Sequence, residues 1–194
     1  MSGFAGLNFD TAIVTRAQRG DRRALDLVCR QLASPVYTLC YRLCQSQATA
    51  EDLTQETFVE VLRHLPEFRG EASLATWVRT IAVSRCMMFF RSAWQRRATA
   101  LDETHEPSRD ATEQLGLARD LGDALGRLNE SHRVVVWLYD VEGYTHREIA
   151  DLTGKTESYS KSCLSRARAE LRRWLDTAVA APAPAATLDT RCIA

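Results

Sequence analysis

The chain has 194 residues, 45% of them hydrophobic and 26% charged, with a formal net charge of zero. That length can bury one sizeable core or two small ones of about 80 residues each, and the composition excludes a disordered chain. The longest apolar run, Val134 to Tyr139, is far short of the roughly 20 residues that span a bilayer; no basic-then-apolar stretch opens the sequence, so a cytoplasmic address and no membrane partner are expected.

Glycine and proline are sparse, β-branched alternation is absent and apolar residues recur at three and four, so every element reads as helix. Asp10 can cap a first helix carrying Ile13, Val14 and Ala17, which Gly20 stops; Asp21 can cap a second with Leu25, Val28 and Leu32 inward. Pro35 is placed to open a third helix, where Val36, Leu39, Cys40, Leu43 and Cys44 form one apolar stripe. Cys40 and Cys44 share that face as small hydrophobes rather than as metal or redox ligands. Thr49 or its neighbourhood opens a fourth helix, whose inward face is expected to be Phe58, Val61, Leu62 and Leu65. Thr49, Asp52, Glu56 and Glu60 recur on the opposite side as an exposed acidic stripe. The loop PEFRGEAS then precedes a fifth helix from about Leu74 to Trp94.

Residues 98–116 are polar, acidic and unpatterned, and read as a flexible linker. The expected architecture is all-α. An N-terminal helical bundle over 8–97 is tied by this linker to a small four-helix domain over 117–176, followed by an Ala/Pro-rich tail over 177–194 expected to be disordered.

The zero net charge hides segregation. Arg79 to Arg97 holds five arginines and no acid, and Lys155 to Arg173 holds six Lys or Arg against Glu157 and Glu170. Between them lie Asp102, Glu103, Glu106, Asp110 and Glu113 against Arg109 alone. Two basic patches suggest two surfaces for a polyanion.

The second patch sits in a helix-turn-helix. Thr145 to Glu148 forms a capping box, with Tyr144 and Ile149 at the positions of a hydrophobic staple. Gly154 suits the tight turn into a helix carrying Leu164, Ala167, Leu171 and Trp174 on one face and Lys161, Ser162, Arg166, Arg168, Arg172 and Arg173 around the others. A short positioning helix, a turn and a basic second helix is the shape of a major-groove reader. No nucleophile and base pair, phosphate-binding glycine loop or metal-ligand cluster suggests an enzyme, a metal or a cofactor.

Taken together, AQRGDRRALDLV, AEDLTQETFVEVLRHLPEF, FRGEASLATWVRTIA, and DVEGYTHREIADLTG with SKSCLSRARAEL stand in an order that resembles the extracytoplasmic-function sigma factors of bacterial RNA polymerase. The resemblance implies a subunit that binds core RNA polymerase, through the coiled coil of its largest subunit and its flap, and directs promoter recognition and melting. It implies Asp52, Gln55, Glu56 and Glu60 as polymerase contacts. It implies Phe68, Arg69, Ser73 and Trp77 at the melted minus-ten element, with Arg79 and Arg85 on the backbone, and Ser158, Tyr159, Lys161, Ser162, Arg166 and Arg168 at the minus-thirty-five element. Two other readings stay open: a helix-turn-helix regulator independent of polymerase, and a sigma factor clamped by an anti-sigma factor.

The chain also departs from the family pattern. Ser84 and Met88 stand where the family usually has Asn and Asp, and Tyr159, Ser160 and Cys163 replace the more usual Thr, Val and Arg. Thr49 stands where the family usually has aspartate. As a helix N-cap Thr49 would cost little, with Asp52 completing an imperfect capping box, but the docking face loses one negative charge. Phosphorylation would restore it, since a phosphothreonine carries roughly −1.5 to −2 charges and suits a helix N-terminus. Some groups of the family are switched by Ser/Thr kinases at such a position, so the resemblance implies a kinase partner and Thr49 as its site.

Overall fold

The computed structural model describes residues 3–100, 122 and 124–180. Among these residues every regular element is a helix. Asp10 accepts a hydrogen bond from the Ala12 amide at 2.8 Å and opens α1, Thr11–Gln18. Gly20, at φ +82°, makes the turn. Asp21 then caps α2, Arg22–Cys44, accepting from the Arg23 and Ala24 amides at 2.9 and 3.2 Å. The Arg16 guanidinium, 2.6 Å from the same carboxylate, holds the Asp21 pKa below the usual carboxylate range.

Pro35 does not open a helix; it lies inside α2. An interior proline forfeits one backbone hydrogen bond and strains the preceding turn. Here Val28, Leu32, Val36, Leu39, Cys40 and Leu43 are all buried in one stripe running through it. That continuous burial outweighs the local cost, so two expected helices are one.

The chain turns sharply at Gln45, which sits in the left-handed region at φ 55° and donates its amide to Tyr41 O at 2.8 Å. Ser46 follows in extended backbone and opens α3, Gln47–His64, which runs into a 3-10 turn at Leu65–Glu67. The inward face of α3 is Ala50, Leu53, Thr57 and Val61, continued by Leu65. Of the expected face, Phe58 is half-buried, whereas Leu62 is 45% exposed. Thr57 takes the missing place because its hydroxyl donates to Leu53 O at 2.7 Å, leaving its methyl as core. The fifth expected helix is α4, Leu74–Ala100, which continues past Trp94. Cys40 and Cys86 meet in the core with sulfurs 3.7 Å apart, and burial pushes the Cys44 thiol up to about 11. A thiol so placed stays protonated and inert at neutral pH.

In the C-terminal half Asn129 accepts from the His132 amide at 2.8 Å and caps α5, Glu130–Val136. The helix widens into a π turn over Trp137–Val141. The Thr145 capping box then starts α6, His146–Thr153, and Gly154, at φ +69°, ends it, both as the sequence suggests. The basic helix α7 covers Glu157–Ala180, and Leu164, Ala167 and Leu171 are buried in one hydrophobic cluster with Leu128, Val134, Leu138 and Ile149. The expected linker lies outside the described residues except at 98–100, which continue α4. The expected tail does so except at 177–180, which continue α7.

The two halves touch, with α2 against α5 and α4 against α6. Arg133 of α5 donates to Leu43 O of α2 at 2.9 Å. Arg79 of α4 donates to Glu142 O at 3.1 Å, just past the π turn.

Candidate nucleic-acid and docking interface

Three surfaces are built by this fold. The first is the outer face of α3. Its cap is Ser46, not Thr49: Ser46 Oγ accepts from the Thr49 amide at 3.4 Å, and the Thr49 hydroxyl lies 3.1 Å from the same oxygen. Thr49 is therefore the third residue of the helix. The extended backbone of Ser46, φ −134° and ψ 123°, is what a cap requires, and a residue three further on is already helical. That third position is where an acidic side chain reaches back to the cap amide and closes a capping box. Ser46-Gln47-Ala48-Thr49 has the first half of that box and lacks the acid.

Asp52, Gln55 and Glu56 are exposed, following Thr49 along one side of α3. Glu60 leaves the stripe. Its half-buried carboxylate lies 2.8 Å from Arg85 Nη2, 3.0 Å from Arg63 Nη1 and 3.3 Å from His64 Nε2, so it ties α3 to α4. The exposed side chains of Val59 and Leu62 extend the face instead. Apolar periodicity misses them because it sets the inward phase on Leu62, and the intrahelical bond that lets Thr57 be core leaves no trace in that pattern.

The second surface is a groove of about 500 Å³ between the loop and the start of α4, lined by Phe68, Arg69, Trp77, Thr76, Glu71 and Thr80 among others. Phe68 and Trp77 face each other with ring centroids 5.0 Å apart. Trp77 is half-buried, so part of each ring serves the wall and part the core. Ser73 stands just before the first residue of α4, its hydroxyl accepting from the Thr76 amide at 3.1 Å. Arg79 and Arg85 do not line the groove: Arg85 is bound to Glu60, and Arg79 turns to Glu142 and lies over the Tyr144 ring at 5.7 Å.

The third surface is the outer side of α7. Ser158, Tyr159, Lys161, Ser162, Arg166 and Arg168 are all exposed there. Lys155 lies over the Tyr159 ring at 6.0 Å, and Lys161 pairs with Glu157 at 3.6 Å. Arg168 is bound bidentately to Asp140, whose carboxylate raises the guanidinium pKa, and it covers the Tyr139 ring at 5.6 Å. This orients Arg168 along the edge of the π turn, while Arg166 is exposed beside it. Ser160 is buried and shares a 3.0 Å hydrogen bond with His146 Nδ1, so it locks α7 onto α6 rather than facing outward. Among the described residues no helix is long and apolar enough to cross a membrane.

Residues 28–96 match the family description Sigma-70 region 2, and residues 118–171 match Sigma-70, region 4. The chain is 34% identical over 166 residues to the ECF RNA polymerase sigma factor SigE of Mycolicibacterium smegmatis, covering 80% of this chain and 64% of that one. It is 30% identical over 156 residues to the ECF RNA polymerase sigma factor SigM of Mycobacterium tuberculosis, covering 80% and 79%. The fold is like that of the sigma factor RpoE of Bartonella quintana, solved in complex with the anti-sigma factor NepR. The TM-score is 0.53 at 22% identity, covering 78% of this chain and 96% of that one. With region 2 carrying the grooved helix and the acidic helix, and region 4 carrying the basic helix-turn-helix, the chain belongs to the extracytoplasmic-function family of RNA polymerase sigma factors, which direct transcription initiation.

Proposed function

We propose that this sigma factor docks on core RNA polymerase through the outer face of α3, and that a Ser/Thr kinase controls the docking by phosphorylating Thr49. The observation that carries the proposal is the half-built capping box. Ser46 caps the helix, the Thr49 hydroxyl sits 3.1 Å from it, and exposed Asp52, Gln55 and Glu56 continue from there. A phosphate on the third residue of a helix occupies the place of the missing acid, facing free amides at the positive end of the dipole. It adds charge where the acidic face begins, and such a face suits a basic partner. Apolar Val59 and Leu62 on the same helix supply the burial that a charge stripe alone does not.

In this reading the Phe68–Trp77 groove receives bases of the melted strand, since an aromatic wall beside Arg69 stacks an unpaired base and neutralises its phosphate. The exposed residues of α7 read the upstream element. Tyr159 and Cys163, which stand where the family has other side chains, differ in burial: Tyr159 is exposed and Cys163 buried. A changed preference therefore falls on Tyr159 and its neighbours Ser158, Lys161 and Ser162.

The test is binding of purified core polymerase by wild type, kinase-treated wild type and an Asp52→Ala/Glu56→Ala variant. Binding that rises on phosphorylation and falls in the double variant supports the proposal. Equal binding by all three, with the phosphate mapped to Thr49, rules it out.

A further inference from the structure

We infer that Gln18 is a positioning residue for promoter melting: from the end of α1 it clamps the turn that carries Phe68, holding the aromatic wall of the groove where an unpaired base can stack. This rests on the reading of the Phe68–Trp77 groove as the receptor for melted bases. The Gln18 carboxamide donates from Nε2 to Phe68 O at 2.8 Å and to Leu65 O at 3.3 Å, across 50 and 47 residues of sequence. Those two carbonyls bracket the 3-10 turn, which closes on itself where the Phe68 amide donates to Leu65 O at 3.1 Å. A primary amide suits that place. Its nitrogen carries two donors, whereas its oxygen turned the same way would face two acceptors.

Gln18 can serve as an anchor because its own backbone is fixed. Asp10 caps the start of α1, and at its end the Arg19 amide donates to Thr15 O and Arg16 O, both at 3.2 Å, and the Gly20 amide to Ala17 O at 2.9 Å. Ala17, the residue before Gln18, is buried, and the Arg16–Asp21 ion pair closes the turn into α2.

The segment beyond the 3-10 turn needs such an anchor. It bends at Gly70, at φ +74°, and residues 69–73 are all exposed until Ser73 caps α4. Ser73 therefore fixes the exit of the loop and Gln18 its entry. Phe68 is only half-buried against Trp77, so burial of the ring alone does not set the wall. A ring and loop free to move would lose that freedom on capturing a base, which weakens capture, whereas a preformed wall loses little. Were the unclamped wall correctly placed about a tenth of the time, capture would fall about tenfold.

The experiment uses holoenzyme assembled from core polymerase and wild type, Gln18→Met, Phe68→Ala or the double variant. Methionine matches glutamine in length and has no donor. Open-complex formation is followed at rising promoter concentration, so that the saturating rate reports opening and the half-saturating concentration reports initial binding. The expected result is a saturating rate about tenfold lower for Gln18→Met, with the half-saturating concentration and core binding unchanged. Phe68→Ala should lower the rate at least as far, and the double variant should match Phe68→Ala, because Gln18 acts through Phe68. A residue that only supports the bundle would cost the same in both backgrounds. Losses that multiply in the double variant therefore overturn the inference, as does a Gln18→Met loss confined to initial or core binding. An impaired Phe68→Ala beside a Gln18→Met that opens like wild type overturns the inference alone. A Phe68→Ala that opens like wild type removes the groove reading and the inference with it. Circular dichroism checks the fold. Gln18→Glu, of the same shape and without a side-chain donor at neutral pH, replaces the methionine variant if that one unfolds; loss of fold in both assigns Gln18 to stability and overturns the inference.

Discussion

At the scale of the residue, the proposed switch rests on Thr49. Its hydroxyl makes one partly buried hydrogen bond to Ser46 Oγ, so Thr49→Ala should cost no more than about 0.5 to 1 kcal/mol. The same substitution should abolish transcription from the cognate promoter in cells, with Thr49→Glu restoring a fraction, because a carboxylate imitates the position of a phosphate and only part of its charge. Denaturant melts and a promoter reporter separate the two effects; a Thr49→Ala protein as active as wild type refutes the switch. Trp77 makes a different prediction. Its ring contacts Phe68 while half-exposed, so Trp77→Ala should remove an aromatic pair worth about 0.5 to 1.5 kcal/mol together with some burial. Strand opening should fall by more than stability does, measured as permanganate reactivity of promoter thymines at a temperature where the variant is fully folded. Trp77→Phe should recover much of both.

At the scale of the element, the caps carry predictions of their own. Ser46→Ala removes the N-cap of α3 and should cost about 1 kcal/mol; Ser46→Asp should keep stability. In α6 the Glu148 carboxylate accepts from the Thr145 amide at 2.8 Å and from its hydroxyl at 2.7 Å, and these bonds hold its pKa below the ordinary value. A carboxyl depressed in the folded state contributes stability that is complete above its unfolded pKa, about 4.3, and is lost as pH falls through the lower folded value. Wild type should therefore melt higher than Glu148→Gln at neutral pH, and the gap should close below about pH 4. A gap that persists unchanged into acid would show that the bond geometry, not the charge, supplies the stability.

Capping chemistry is legible in the sequence because a cap is decided by residues within four of each other: Asp10, Asp21, the Thr145 box and Gly154 all fall where their local chemistry puts them. What misleads is local chemistry overruled from outside. Pro35 signals a helix start, but the buried stripe of α2 carries the helix through it. Thr57 looks polar and Leu62 apolar, yet the intrahelical bond of Thr57 lets the helix rotate it inward and turn Leu62 out. Thr49 looks like a cap, but Ser46 offers the same hydroxyl three residues earlier, and the turn at Gln45 decides which of the two is used.

At the scale of the whole molecule, the division into an acidic-faced bundle and a basic helix-turn-helix can be read from charge segregation and motif order. The pairing of Arg79 with Glu142 and of Arg133 with Leu43 cannot, since the partners lie 63 and 90 residues apart and nothing in local spacing joins them. That pairing changes what the basic patch on α4 means. Of its arginines, Arg79, Arg85 and Arg97 are bound to Glu142, Glu60 and Glu130 in the free chain, so charge there does not equal availability to DNA.

The most direct test of the central claim, that charge at the head of α3 governs engagement with polymerase, joins phosphosite mapping to a pull-down. Protein isolated from cells with active promoter is mapped by mass spectrometry, and wild type and Thr49→Ala are each used to capture core polymerase from the same cells. The expected result is phosphate on Thr49, with polymerase captured by wild type and lost from Thr49→Ala at equal fold and abundance. Equal capture by the two proteins, or an active pool carrying no phosphate at Thr49, would contradict it.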